Sequence, residues 1–480
     1  MNILFATSEA VPLIKTGGLA DVSGSLPPAI QALGHDIRVV LPGYPTAIKN
    51  AGTLTSIASF TLERDLLEGQ ILEGTLPGTK VPVYLIDIPH YFNRDGGPYN
   101  HEKGGDWTDN PQRFAAFAHT VVQLAMARID VGWKPDLIHC NDWQTGLIPP
   151  LLTVEDNPPA SIFTIHNLAY QGLYDKDVFH SLGLPEHFWS PESLEFYHNF
   201  SFLKGGLAHA HWITTVSPTY AREIRTPAFS YGLDGLLNHR SRQLSGILNG
   251  IDETVWNPSK DVHLKGNYSS DSLQKKAVNK LALQKHFGLK EDKSIPLMAS
   301  IGRLAEQKGV DLILKVLPKL FESGAQFILL GSGDAWLEHN LQMLASQYPE
   351  QFKLTLGYNE PLAHQIEAGA DIFLMPSRFE PCGLNQIYSL KYGTIPVVGR
   401  TGGLVDTVVD ATTRNLYLDT ATGFIMDDAS PEALLHATER ALQTYQQPKV
   451  WQKIIKTAMK QPFSWEISAK EYIDIYQQVT

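Results

Sequence analysis

The chain has 480 residues, of which 43% are hydrophobic and 19% charged, a globular composition too long for one core and suited to two domains of ordinary size. Its formal net charge of −11 argues against nucleic acid or an anionic membrane as partner, although a few well-placed cations suffice to bind a small anion. The two cysteines, Cys140 and Cys382, form no C-x-x-C and give neither a disulfide framework nor a zinc knuckle, and no apolar run approaches the ~18 residues of a membrane span. The chain begins directly with a strand and without a basic leader region, so the expected location is the cytoplasm, or a plastid stroma for a trimmed plastid form.

Ile3-Leu-Phe-Ala6 predicts the first strand, and residues 11–21 a Gly-bordered turn containing Lys15-Thr-Gly-Gly-Leu19. Residues 22–33 have helical spacing and stop at Gly34, a C-cap residue, before a second strand at 36–41. Strand, helix and strand in this order make a βαβ unit and predict a parallel sheet. Residues 53–88 carry short alternating runs with turn residues at Glu68-Gly69 and Pro77-Gly78, read as antiparallel hairpins added to that sheet. Residues 91–111 form a long loop rich in Gly, Asp, Asn, Trp and Tyr, of a length that usually serves function. A helix is predicted at 112–127, and strands resume at 137–140, 161–165 and 212–216. After the polar stretch Arg240-Ser-Arg-Gln243 comes a second series of strands, at 247–248, 297–301, 327–330, 353–356, 372–375 and 395–398, separated by helical segments. The fold class is therefore α/β, with two doubly wound Rossmann-like domains, 1–240 and 241–460, and a closing helix at 465–479 beyond Pro462.

The second series contains the densest stretch of the chain, P-S-R-F-E-P-C-G-L-N-Q-I-Y-S-L-K-Y-G-T-I-P-V-V-G-R-T-G-G-L-V-D-T at 376–407. A strand runs into the turn Phe379-Glu-Pro-Cys-Gly383, a helix follows at 384–392, and the strand at 395–398 leads to a second turn, Arg400-Thr-Gly-Gly403. In open parallel sheets ligands sit outside the carboxyl ends of the strands, where helix N-termini present N–H groups to anions. Gly383, Gly402 and Gly403 would let backbone approach a ligand closely. At another strand exit lies Gly302-Arg303-Leu-Ala-Glu-Gln-Lys308-Gly309. Two cations there suit a departing diphosphate, on which charge accumulates; the plainer alternative is a surface pair held by carboxylates such as Glu306. Lys15, beside Gly17 and Gly18, reads as a cation next to a helix N-terminus facing a diphosphate, and Asp21 as a simple helix cap. Lys15-Thr-Gly-Gly-Leu19 and Arg400-Thr-Gly-Gly-Leu404 echo one another, either by coincidence in a Gly-rich chain or as paired turns, one per domain, pointing into one cleft. Asn167 and Asn249 are bidentate partners for sugar hydroxyls. Glu380 is the only carboxylate of the central turn, so the carboxylate pair of a glycosidase is not assembled. No base accompanies Cys382, no H-E-x-x-H occurs, and seventeen histidines lack ligand spacing, so no thiol nucleophile and no metal is expected.

Arg378-Phe-Glu-Pro-Cys-Gly-Leu-Asn-Gln386, followed by Lys391-Tyr-Gly-Thr-Ile-Pro396 and Thr401-Gly-Gly-Leu404, resembles the bacterial glycogen synthase and plant starch synthase family. Lys15-Thr-Gly-Gly-Leu19, His166-Asn-Leu-Ala-Tyr-Gln-Gly172, Asp142-Trp143 and the Arg303…Lys308 pair match the same family, in order from residue 3 to the closing helix. These are retaining glucosyltransferases with two Rossmann-like domains facing a cleft, the GT-B type. The resemblance implies transfer of glucose from ADP-glucose to the non-reducing end of an α-1,4-glucan or maltooligosaccharide, without a cofactor. The donor would lie on the second domain and the acceptor on the first, with 461–480 crossing back to the first. It implies catalytic roles for His166, Glu380, Arg303, Lys308 and Asp142. Donor contacts would come from Lys15, Gly18, Asp21, Asn167, Asn249, Tyr358 as an adenine-stacking face, and the backbone of Cys382, Gly383 and Leu384. Tyr99 and Trp107 in the long loop, and Trp143, would receive glucan, or else serve as ordinary loop and core packing. Position 388 is Tyr where a broader sister class has a second glutamate, as it is in this family. Asn385, where many bacterial synthases carry Thr, leans towards the starch-type branch. The rivals are a two-domain transferase that uses UDP-glucose or makes sucrose or trehalose, a pyridoxal-phosphate glucan phosphorylase, and a catalytically dead glucan-binding protein.

Overall fold

Short apolar runs alternating with helical stretches become parallel strands joined by helices in the computed structural model of the protein, which describes residues 1–62, 66–102 and 104–480. The chain forms two units, 1–250 with 465–480, and 251–464. In the first, strands β1 (Asn2–Ala6), β2 (Asp36–Pro42), β3 (Thr55–Leu62), β4 (Leu67–Thr75), β5 (Pro82–Asp87), β6 (Leu137–Asn141) and β7 (Ala160–Ile165) share a sheet with two later strands. Between them β8 (Leu173–Tyr174), β9 (Glu195–Phe196) and β10 (Asn199–Ser201) make a small separate sheet, and β11 (Trp212–Thr215) and β12 (Leu244–Gly246) complete the large one. Among the described residues its order is β12-β11-β7-β6-β1-β2-β5-β4-β3. From β12 to β5 every pair is parallel, and β4 and β3 extend the edge antiparallel. The central strands are buried along their length, as parallel strands covered on both faces must be.

Two sequence expectations are corrected here. Glu68 and Gly69 lie inside β4, not in a turn. Gly69 pairs across to Phe60, and a β-carbon at Gly69 would lie 2.4 Å from the Phe60 ring, so the glycine admits an aromatic neighbour instead of a reversal. The reversal falls between Leu62 and Leu67, with residues 63–65 outside the described chain. The strand expected at 247–248 is instead β12, which pairs with β11 and closes the edge of the first sheet. The first unit accordingly runs to Gly250. The helix Trp465–Val479 belongs to this unit as well: Ser468 Oγ donates to the Leu248 carbonyl at 2.6 Å, and the Tyr476 hydroxyl meets His139 Nδ1 at 2.7 Å. Burial pushes the His139 imidazole down to about 3, so this contact is between neutral groups.

The second unit holds β13 (Leu297–Ile301), β14 (Gln326–Gly331), β15 (Phe352–Leu356), β16 (Ile372–Met375), β17 (Ile395–Val398) and β18 (Phe424–Ile425), all parallel, in the order β15-β14-β13-β16-β17-β18. Its core is aliphatic and aromatic side chains of these strands and their covering helices, Leu297, Phe327, Phe373 and Val397 among them. In such sheets the crevice lies where strand order reverses. That point falls between β1 and β6 in the first unit and between β13 and β16 in the second. Among the described residues no helix is long and apolar enough to cross a membrane.

Candidate active site

Many of the expected site residues follow the carboxyl ends of parallel strands: Lys15 and Asp21 after β1, Asp142 after β6 and His166 after β7 in the first unit, and Arg303 and Lys308 after β13 and Glu380 after β16 in the second. In the first unit, β1 leads into Thr7-Ser8-Glu9. The Glu9 side chain is buried and accepts from the Thr16 amide and hydroxyl, from the Gly17 amide at 3.2 Å, and from the Tyr99 hydroxyl. Glu9 was not legible as a site residue. It brings an internal carboxylate to the start of the helix Gly18–Ala32, so the amides of Thr16 and Gly17 already serve Glu9 rather than an outside anion. Lys15 pairs with Asp21, an acidic residue of the helix's first turn, at 2.7 Å, and the N-cap Gly17 makes no side-chain cap. A β-carbon at Gly17 or Gly18 would meet nothing within 4 Å, so this turn is open.

At the ends of β6 and β7, Asn141 fixes the His166 ring. The Asn141 amide nitrogen donates to the carbonyls of Ala6 (3.0 Å) and His139 (3.3 Å), which leaves its oxygen facing His166 Nε2 at 2.9 Å. Nε2 therefore carries the proton and donates. Burial pushes His166 down to about 3, so the ring is neutral, with a lone pair on Nδ1. Asp142 has φ 57°, a left-handed backbone unusual outside glycine, and its Oδ1 accepts from the His166 amide at 2.8 Å. Burial pushes its carboxyl up to about 7, against the opposing pull of the His166 and Asn167 amides. Between its unfolded value and about 7 the folded state holds a proton that the unfolded state has lost, so this group's contribution to stability falls as pH rises through that window. Asp142→Asn is expected to raise the melting temperature at pH 8 relative to the unsubstituted protein, with the gap closing towards pH 4; a pH-independent gap would remove the buried-charge account.

The aromatic acceptor candidates have internal partners. The Tyr99 hydroxyl bonds Ser8 Oγ at 2.7 Å as well as Glu9. Trp107 Nε1 donates to the Gly97 carbonyl at 3.2 Å, and the Arg94 guanidinium lies over its ring at 4.8 Å. Trp143 packs edge-on against Phe114 and Phe202, with Gly172 so close that a β-carbon there would lie 2.5 Å from the indole. These rings hold the loop and the core together. Arg113, also unread in the sequence, is fully buried and pins the long loop by donating to the carbonyls of Tyr91 (3.0 Å) and Pro98 (2.9 Å). The Asn167 carbonyl oxygen Oδ1 accepts from the Ala169 amide at 3.0 Å. Asn249 is buried, with its Oδ1 lacking a hydrogen-bond partner among the described residues.

In the second unit the exits of β13 and β16 are tied into one body. Lys308 Nζ lies 2.6 Å from Glu380 Oε2, which also accepts from Ser377 Oγ at 3.1 Å. Arg303 donates to Gln307 Oε1 at 3.1 Å, and Gln307 donates in turn to the Phe379 carbonyl at 3.2 Å. The two cations thus share a turn, and Glu306 lies 3.9 Å from Arg378. Arg378 makes a two-pronged bond to Asp311 at 2.7 and 2.8 Å. The Asn385 amide donates to the Ile301 carbonyl at 2.7 Å, giving this asparagine a structural task. Cys382 is buried, and Gly383 has φ 72°. Leu384 starts the helix Asn385–Tyr392 without a side-chain cap. Tyr358 is 72% exposed. The Thr401-Gly-Gly403 turn is buried and packs against the Glu380 turn, unlike the open turn at Gly17 and Gly18.

Two Rossmann-like units, each carrying a cation paired to a carboxylate where its strand order reverses, make the chain a two-domain, doubly wound α/β protein with anion-binding side chains at both switch points. Residues 2–239 match the starch synthase catalytic domain family and residues 283–458 the glycosyl transferases group 1 family. The chain is 53% identical to glycogen synthase of Thioalkalivibrio sulfidiphilus, covering 100% of both chains. It is 51% identical to glycogen synthase 1 of Methylococcus capsulatus, covering 100% of this chain and 96% of that one. The catalytic domain of starch synthase IV from Arabidopsis thaliana, solved bound to ADP and acarbose, superposes with a TM-score of 0.89 at 33% identity over 100% of this chain and 99% of that one. The protein belongs to the glycogen synthase and starch synthase family. Sucrose-phosphate synthase of Thermosynechococcus elongatus shares the fold, with a TM-score of 0.61 at 17% identity over 99% of this chain and 98% of that one. Identity to the two glycogen synthases exceeds identity to starch synthase IV, opposite to the lean that Asn385 gave.

Proposed function

We propose that the protein is an ADP-glucose:1,4-α-D-glucan 4-α-D-glucosyltransferase that adds glucose, with retention, to the non-reducing end of an α-1,4-glucan or maltooligosaccharide in the cytoplasm. The observation that carries the reading is the Lys308–Glu380 pair at a switch point, with Arg303 on the same strand exit, in a chain similar along its whole length to glycogen synthases. The ADP and acarbose of the related starch synthase IV structure support a nucleotide donor and an α-glucan acceptor here.

As the bond between the anomeric carbon and the diphosphate breaks, negative charge grows on the departing ADP. Arg303 and Lys308 oppose that charge, and the amides of Cys382, Gly383 and Leu384 at the uncapped helix start add to them. A phosphate oxygen of the leaving group takes the proton of the acceptor's 4-hydroxyl, while the hydroxyl's own oxygen bonds the anomeric carbon from the same face. Glu380, balanced by Lys308, supplies negative charge beside the cation-like sugar. His166 and Asp142 hold sugar hydroxyls; Lys15, Asp21, Asn167 and the buried, unpartnered Asn249 oxygen complete the donor contacts, with Tyr358 against adenine. Side chains supply the positive charge in this scheme, so it calls for no cofactor. Incubation with ADP-[glucose] or UDP-[glucose] and maltooligosaccharides, with the products sized, is expected to give stepwise lengthening with a strong preference for the ADP donor. An equal or higher specificity constant for UDP-glucose would overturn the donor assignment, and no lengthening with either would overturn the transferase reading.

A further inference from the structure

The helix Asn385–Tyr392, which begins beside the amides of Cys382, Gly383 and Leu384, is gripped by a closed circuit of side chains within the second unit. Trp256, half-buried on the segment that opens this unit at Ile251, has two rings stacked on it. His364, fully buried on the helix Glu360–Gly369, lies with its centroid 3.8 Å from that of the indole and its plane 10° away. Tyr388, half-buried on the helix Asn385–Tyr392, lies at 3.9 Å and 11°. Two rings so close and so parallel to one indole take its opposite faces. The far ends of the stack are joined as well. His364 Nδ1 donates to Asp261 Oδ2 at 2.7 Å, and the Tyr392 hydroxyl, one turn beyond Tyr388, donates to the same oxygen at 2.5 Å. Aromatic rings left to themselves prefer offset or edge-on contacts at about 4.5–7 Å, so two face-on contacts in series are held by what surrounds them.

We infer that Trp256 is a positioning residue of glucosyl transfer, which acts through Tyr388 to set where the start of the helix Asn385–Tyr392 sits. The Tyr388 amide donates to the Leu384 carbonyl at 2.9 Å, the hydrogen bond that closes the first turn of the helix. Tyr388 and Tyr392 stand four residues apart on one helical face, so a stacked ring and a bonded hydroxyl together oppose both sliding and rotation. Gln386, on the same helix, donates to the carbonyls of Cys382 at 2.9 Å and Gly383 at 3.1 Å. A displacement of the helix therefore reaches the Gly383 turn directly, and with it the amides that face the departing diphosphate. The inference rests on the glucosyltransferase reading above.

The test sets Trp256→Leu beside Trp256→Phe. Leucine keeps an apolar side chain but offers no flat face to His364 and Tyr388, whereas phenylalanine keeps the face. Assayed well below the melting temperature, Trp256→Leu is expected to lose about tenfold in kcat, with KM for ADP-glucose and for maltotriose within about twofold. ADP carries the phosphate charge that appears only as the sugar departs, so its affinity, read by titration calorimetry, should weaken about fivefold. Trp256→Phe should keep both quantities within about twofold of the unsubstituted protein. Both variants lose buried volume and should melt lower, so the melting temperature does not separate them while kcat and ADP affinity do. Tyr388→Leu cuts the stack at its other half-buried ring and should show the same losses, which keeps the test open if Trp256→Leu does not fold. Unchanged kcat and ADP affinity in the leucine variants would overturn the inference. Equal losses in Trp256→Leu and Trp256→Phe would assign the effect to lost volume and overturn it too. Failure of the unsubstituted protein to transfer glucose would count against the transferase reading alone, because ADP binding is measured without turnover.

Discussion

Lys308→Ala is expected to lower kcat about a hundredfold or more, with KM for ADP-glucose changing far less. In the proposed reaction the charge that Lys308 meets grows as the diphosphate departs, so its loss would fall on the transition state rather than on donor binding. Arg303→Ala, on the same strand exit, should cost a similar factor. Because both act on one leaving group, the double variant should lose less than the product of the single losses. The structure separates the two by stability. Lys308 is 2.6 Å from a nearly buried Glu380, so alanine leaves that carboxylate without its cation and the melting temperature should fall. Arg303 bonds the neutral Gln307, and its removal should disturb melting less. Adding Glu380→Gln to Lys308→Ala should restore stability without restoring turnover. Steady-state kinetics beside thermal melts would read both axes, and near-normal kcat in Lys308→Ala would remove its leaving-group role.

The parts of this chain that were legible are those whose signal is local. β13, β16 and β17 are short, mostly apolar runs followed by Gly or Pro, as parallel strands covered on both faces tend to be, and their limits in the structure are those read in the sequence. β8 and β9, each of two residues, are too short for any period to appear. Glu9 shows why part of the site was hidden. It stands alone between Ser8 and Ala10, and its partners lie seven, eight and ninety residues away. Asn141 reads as the last residue of a strand until its amide is seen fixing the His166 tautomer. Gln307 reads as filler between two cations, yet it bridges Arg303 to the Phe379 carbonyl. Tyr99 and Trp143 were visible but ambiguous, since a loop aromatic looks the same whether it awaits a ligand or props the backbone. In the structure the Tyr99 hydroxyl bonds Ser8 and Glu9, and Trp143 packs against Phe114 and Phe202.

The echoed turns at Gly17 and Gly402 should respond to alanine in opposite ways. Gly402→Ala is expected to cost about a hundredfold in activity, because an ångström of displacement in a catalytic group has that scale of effect. Its φ is 45°, a left-handed backbone that alone costs an ordinary residue about 1–2 kcal/mol. The added β-carbon would also lie 1.9 Å from the Glu380 carbonyl oxygen, and the next residue, Gly403, would place one 2.2 Å from that of Cys382. These are backbone atoms of the turn that carries Glu380, so relief requires moving that turn and with it the carboxylate held by Lys308 and Ser377. Activity and melting temperature should therefore fall together. Gly17 has φ −149°, open to any residue, and its β-carbon would meet nothing within 4 Å. Gly17→Ala should melt like the unsubstituted protein, and any kinetic effect should appear in KM for ADP-glucose, where a methyl group intrudes on donor space. Wild-type kcat in Gly402→Ala would show that the second Gly-Gly turn does not position Glu380, and a lowered melting temperature in Gly17→Ala would show that the first is not the open turn described.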